Sequence, residues 1–97
     1  MSESGSLQPD DIIAIGRYMR LQWEEAQDAF VLLYPEGMVE LSETAGTILS
    51  HCNGTASLAQ IINTLQQAFP EADLADDVRE FLEDMYAKGW VRVERAG

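Results

Sequence analysis

Few residues in this chain could do chemistry, and their spacing argues against catalysis. His51 and Cys52, its single histidine and single cysteine, are adjacent in sequence. They fall on the last turn of a predicted helix, where neighbouring side chains point about 100° apart and cannot face each other as nucleophile and base. Their ordinary roles suffice: Cys52 packs inward, and His51 meets the negative end of the helix dipole. Two such residues also fall short of the three or four ligands a zinc ion takes. The carboxylate pairs Glu24–Glu25 and Asp76–Asp77 sit in a turn and at a helix start, so neither pattern calls for acid–base work. Gly37, Gly46 and Gly54 are isolated, and none opens a strand-to-helix phosphate loop. The chain reads as a non-enzyme with no cofactor and no metal.

Composition narrows the class further. Ninety-seven residues, 46% of them apolar, fit one globular domain. No apolar run approaches the roughly 18 residues of a membrane span. The start, MSESGSLQPDDIIAIG, has neither the basic nor the continuous apolar region of a secretory signal, so a cytoplasmic location is expected. Seventeen acids against six bases give a net charge of −11. Binding to nucleic acid or anionic lipid draws its affinity from Lys and Arg, so neither is an expected partner; basic surfaces and peptides are.

The elements follow from periodicity. Residues 1–11 read as a disordered tail and 12–97 as a single domain. Tyr18 to Trp23 alternates as a half-buried strand, Ala29 to Tyr34 makes a second, and Met38 to Leu41 a third, an antiparallel meander with turns at Glu24–Asp28 and Pro35–Gly37. Ser42 caps a helix predicted to run to Cys52 and stop at Asn53–Gly54. Ser57 and Gln60 form a capping box for a second helix, with Leu58, Ile61, Ile62, Leu65 and Phe69 on its apolar stripe and Pro70 at its end. A third helix is capped by Asp73, carries Asp76 and Asp77 in its first turn, and ends with Lys88 before Gly89. Trp90 to Glu94 alternates as a short returning strand. The fold class is α+β: a three-stranded antiparallel sheet followed by three helices, resembling a winged helix.

That likeness raises DNA binding, but the would-be recognition helix carries six acids, from Asp73 to Asp84, against Arg79 and Lys88, and would be repelled by the groove. A small acidic carrier with a phosphopantetheine-bearing serine is the other alternative. Capping explains both Ser42 and Ser57, and carriers are four-helix bundles without an N-terminal sheet. A binding groove remains. In a meander ordered 1-2-3 the third strand has an unpaired edge. An extended peptide would pair with Met38, Val39, Glu40 and Leu41 and meet Val78, Phe81, Leu82, Met85 and Tyr86 of the third helix. The tail, the terminal strand or a second copy in a homodimer are the competing occupants of that edge.

The runs Leu21-Gln22-Trp23-Glu24-Glu25-Ala26-Gln27-Asp28, Val31-Leu32-Leu33-Tyr34-Pro35-Glu36-Gly37-Met38-Val39 and Leu41-Ser42-Glu43-Thr44-Ala45 closely resemble the PqqD family of pyrroloquinoline quinone biosynthesis. Ile48-Leu49, Cys52-Asn53-Gly54 and Leu58-Ala59-Gln60-Ile61-Ile62 extend the resemblance, which covers about Arg17 to Val93. Asn53 departs from the Asp of the family pattern, and both residues suit a helix end. The resemblance implies a recognition element for ribosomally made, modified peptides. It implies a chaperone that binds the precursor peptide PqqA as an added strand and presents it to the radical SAM enzyme PqqE, with no catalysis of its own.

Overall fold

The computed structural model describes residues 7–94. In chain order the elements are β1 (Ile12–Ile15), β2 (Arg20–Glu24), β3 (Ala29–Tyr34), β4 (Gly37–Glu40), α1 (Glu43–Leu49), β5 (Asn53–Ser57), α2 (Leu58–Ala68), α3 (Ala75–Lys88) and β6 (Val91–Glu94). The predicted meander is the sheet β2-β3-β4, antiparallel throughout, with Leu21 opposite Leu32 and Leu32 opposite Val39. Those three residues share one face because side chains alternate along a strand, and that face lies on the core.

A second sheet, β5-β1-β6, was not expected from the sequence. β1 occupies its centre, pairing with β6 from Ile12↔Glu94 to Ile15↔Val91 and with β5 through an irregular register between Ile12↔Ser57 and Ala14↔Asn53. Asn53–Gly54 therefore starts a strand, not a helix end. α1 stops at Leu49, and bonds from the His51 and Cys52 N–H groups to the carbonyls of Ile48 and Leu49 tighten the turn that follows. Gly54 still takes the left-handed conformation, at φ 84°, inside β5. The expected tail is also corrected over its described part. Residues 1–6 lie outside the described residues, but Leu7 is fully buried in the core and Asp11 is buried too. Leu7 donates its N–H to Glu83 Oε2 (3.2 Å) and accepts from Arg79 Nη2 (3.1 Å), while the Leu58 and Ala59 N–H groups bind the carbonyls of Asp11 and Pro9.

The helices pack as their sequences direct, with two changes at the α2–α3 turn. The capping box of α2 is present in both directions, between Ser57 and Gln60. Leu58, Ile61 and Leu65 are buried, but Phe69, placed on the same stripe by spacing, is the C-cap residue and is 52% exposed. Asp73 does not cap α3; the helix begins after Leu74 without a side-chain cap. Gln66 does the fastening, accepting from the Leu74 N–H and donating to the carbonyls of Phe69 and Ala72. At the other end Gly89, at φ 82°, closes α3, and Lys88 lies 5.7 Å from the Trp90 ring centre.

Candidate functional site

The site is built on β4, which has one strand partner among the described residues. Opposed residues of an antiparallel pair alternate between exchanging hydrogen bonds with each other and pointing their backbone groups outward. The Leu41 N–H binds the Phe30 carbonyl at 2.9 Å, and the register pairs Val31 with Glu40, Leu32 with Val39 and Leu33 with Met38. Phe30/Leu41 and Leu32/Val39 are thus the bonded pairs. The N–H and C=O groups of Met38 and Glu40 face away from β3, toward the open edge. The side chains divide the other way: Val39 and Leu41 turn to the core, whereas Met38 and Glu40 are exposed.

The helix named as the opposite wall is α3, and its predicted contact residues fall in three places. Val78, Leu82 and Met85 are core, at most 5% exposed. Phe81 and Tyr86 are half-buried against the same cluster, as is Val39 from the sheet side. Five residues apart on a helix, Phe81 and Tyr86 lie about 140° apart around the axis, so they serve different flanks. Tyr86 shares its flank with Arg79 and Glu83, which hold Leu7. Phe81 shares the opposite flank with Asp84 and Lys88, an ion pair at 3.2 Å. Beyond the start of that flank lies a cleft of about 400 Å³ walled by α1, the end of α2 and the start of α3. Sequence spacing gave no signal for this cleft, because Phe69 was assigned to the core.

Cys52 is buried, donates weakly to the Ile48 carbonyl at 3.6 Å, and is pushed by that burial from its ordinary 9.0 up to about 12, which keeps it a thiol rather than a nucleophilic thiolate. Among the described residues no three His, Cys, Asp or Glu side chains are grouped to hold a metal ion. No described helix is long and apolar enough to cross a membrane. What the arrangement offers is a row of outward main-chain hydrogen-bonding groups on β4, whose other face lies on the core.

Known proteins resemble the chain over nearly its whole length. A family model described as Coenzyme PQQ synthesis protein D (PqqD) matches residues 29–91, from β3 to the start of β6. A PqqA binding protein of Methylococcus capsulatus is 46% identical over 87 residues, covering 90% of this chain and 94% of the relative. One of Azotobacter vinelandii is 45% identical over 85 residues, covering 87% and 92%. In structure, the chain is similar to the PqqD truncation of Methylobacterium extorquens PqqCD, described as a functional, stand-alone recognition element for ribosomally synthesized and post-translationally modified peptides. The TM-score is 0.71 at 26% identity, over 94% of this chain and 99% of that one.

Proposed function

The chain belongs to the PqqD family, and from that membership we propose that it binds the precursor peptide PqqA as a strand added to the open edge of β4. In this reading it hands the peptide to the radical SAM enzyme PqqE, catalyses nothing itself and works in the cytoplasm. The observation that carries the proposal is the outward direction of the Met38 and Glu40 backbone groups at the open edge of β4. An extended guest satisfies those groups, which have no strand partner among the described residues, and gains hydrogen bonds without displacing anything from β3. Met38, Glu40 and Phe81 touch the guest, Val39 and Leu41 hold the strand to the core, and Val78, Leu82 and Met85 form the floor beneath. Tyr86, on the flank of α3 whose Arg79 and Glu83 hold Leu7, stands outside this set. The −11 charge favours a guest with basic residues. A second copy of the chain would use the same edge, so peptide binding and homodimer formation compete.

Proline scanning tests this with a built-in control. Proline is tolerated on an edge strand where the lost N–H faced outward. Glu40→Pro is therefore expected to leave the fold intact and weaken PqqA binding at least about tenfold, roughly the 1–1.5 kcal/mol of a lost hydrogen bond plus the added bulk. Val39→Pro removes an N–H directed at β3, so it should lower the thermal midpoint. Full PqqA affinity in a folded Glu40→Pro variant would refute the added strand.

A further inference from the structure

The cleft at the N-terminal end of α3 is a second surface, separate from the edge of β4. Gly46 of α1 faces the first sheet: a Cβ there would stand 2.9 Å from the Phe30 ring. Thr44 and Ile48, each two residues from Gly46 and so about 160° around the helix from it, line the cleft. α1 therefore stands between the sheet and the cleft, and no residue of β4 lines it. Its lining is mostly apolar, with Leu74 half-buried in the wall and Phe69 52% exposed at the mouth. The charged residues that line it, Glu43 and Asp77, are both acids. Such a site suits an apolar side chain with a Lys or Arg beside it, because carboxylates at the rim attract the cation while the floor takes the apolar group.

We infer that this cleft is where the receiving enzyme docks, seating an apolar side chain flanked by Lys or Arg while the peptide lies on β4. The inference rests on the presentation reading above. Handing over a bound peptide requires contact with the enzyme through a surface that the peptide does not cover, and the cleft is an apolar surface behind α1 with a volume of about 400 Å³, within the range of ordinary binding pockets.

Two full-length variants test it. Thr44→Trp fills the cleft from an exposed position of α1, and Asp77→Lys reverses the charge of its rim from an exposed position of α3. Affinities for PqqE and for PqqA are measured separately by calorimetry, with circular dichroism and the thermal midpoint as folding controls. Each variant is expected to weaken PqqE binding at least tenfold and to change PqqA binding less than twofold, with the Asp77→Lys effect shrinking in high salt. Unchanged PqqE affinity in both folded variants overturns the docking site and leaves the peptide reading standing. Loss of PqqA affinity with PqqE affinity intact also overturns it, making the cleft an extension of the peptide groove. A wild-type chain that binds PqqA but shows no affinity for PqqE, with or without the peptide, overturns presentation and the docking site together. If Thr44→Trp fails to fold, Asp77→Lys alone decides the outcome.

Discussion

The two sheets of this protein contain three strands each and are assembled in opposite ways. β2, β3 and β4 are consecutive in the chain and joined by connections of four and two residues, so each pairing closes a short loop. β5, β1 and β6 come from around residues 53, 12 and 91, so each pairing joins strands far apart in sequence. Loop-closure entropy makes the second kind of pairing slower and dependent on everything packed beneath it, whereas the first forms from local signals. The second sheet ties the N-terminal segment, the middle and the C-terminal end into one unit. The first is held to that unit by one face and by α1, which leaves β4 able to offer an edge. The comparison suggests a division of labour to test: long-range pairing ties the chain together, and the local meander keeps the open edge on which the proposed binding depends.

Breaking the second sheet should therefore have the largest effect on stability. Ile13 is fully buried at the centre of β1, and Ile13→Ala should cost about 2–5 kcal/mol in urea unfolding, with residual PqqA affinity tracking the folded fraction. A smaller loss would mean that β1 is an accessory strand. The seam between the two parts comes next. At Gly46 an added Cβ meets the Phe30 ring at 2.9 Å, so Gly46→Ala should cost about 1–3 kcal/mol by overpacking. If the division holds, it should also disturb amide signals of β3 and β4 more than those of β1. The third effect concerns pH. Cys52, between α1 and β5, keeps its proton in the folded state up to about 12, whereas the unfolded chain loses it near 9.0. Between these values the unfolded state binds fewer protons, so stability is unaffected below about pH 9 and declines as pH rises above it, by at most about 1.4 kcal/mol per pH unit. Cys52→Ala should flatten that decline; the same slope in the variant would assign it to other groups.

The same contrast explains what could be read from sequence. Arg20–Glu24, Ala29–Tyr34 and Gly37–Glu40 announce themselves through alternation and turn residues, and Ser57 with Gln60 announces α2 through a capping box, because these signals act within a few residues. β1 and β5 carry no such signal. Ile12-Ile13-Ala14-Ile15 does not alternate, since the strand is central in its sheet, and Asn53-Gly54-Thr55-Ala56-Ser57 is polar and becomes a strand by pairing with β1. Leu7 looked like tail, and its burial depends on Arg79 and Glu83, more than 70 residues away. Gln66, not Asp73, fastens the start of α3, because the α2–α3 turn folds its amide back onto Leu74, eight residues on. In the candidate site, the edge formed by Met38 to Leu41 was legible and the division of its backbone groups was not, because the register with β3 decides which N–H faces out. Helical spacing gave the core row Val78, Leu82 and Met85 correctly. It puts Phe81 and Tyr86 on different flanks but could not show that the Tyr86 flank holds Leu7, a contact more than 70 residues away in sequence.

Amide hydrogen exchange, read residue by residue with and without PqqA, tests the added strand most directly. In the free protein the Val39 and Leu41 amides, bonded to β3, should exchange slowly, and those of Met38 and Glu40 quickly. Saturating peptide should slow Met38 and Glu40 at least tenfold and leave the pattern along β1 nearly unchanged. Binding with no added protection at Met38 and Glu40 would contradict the account.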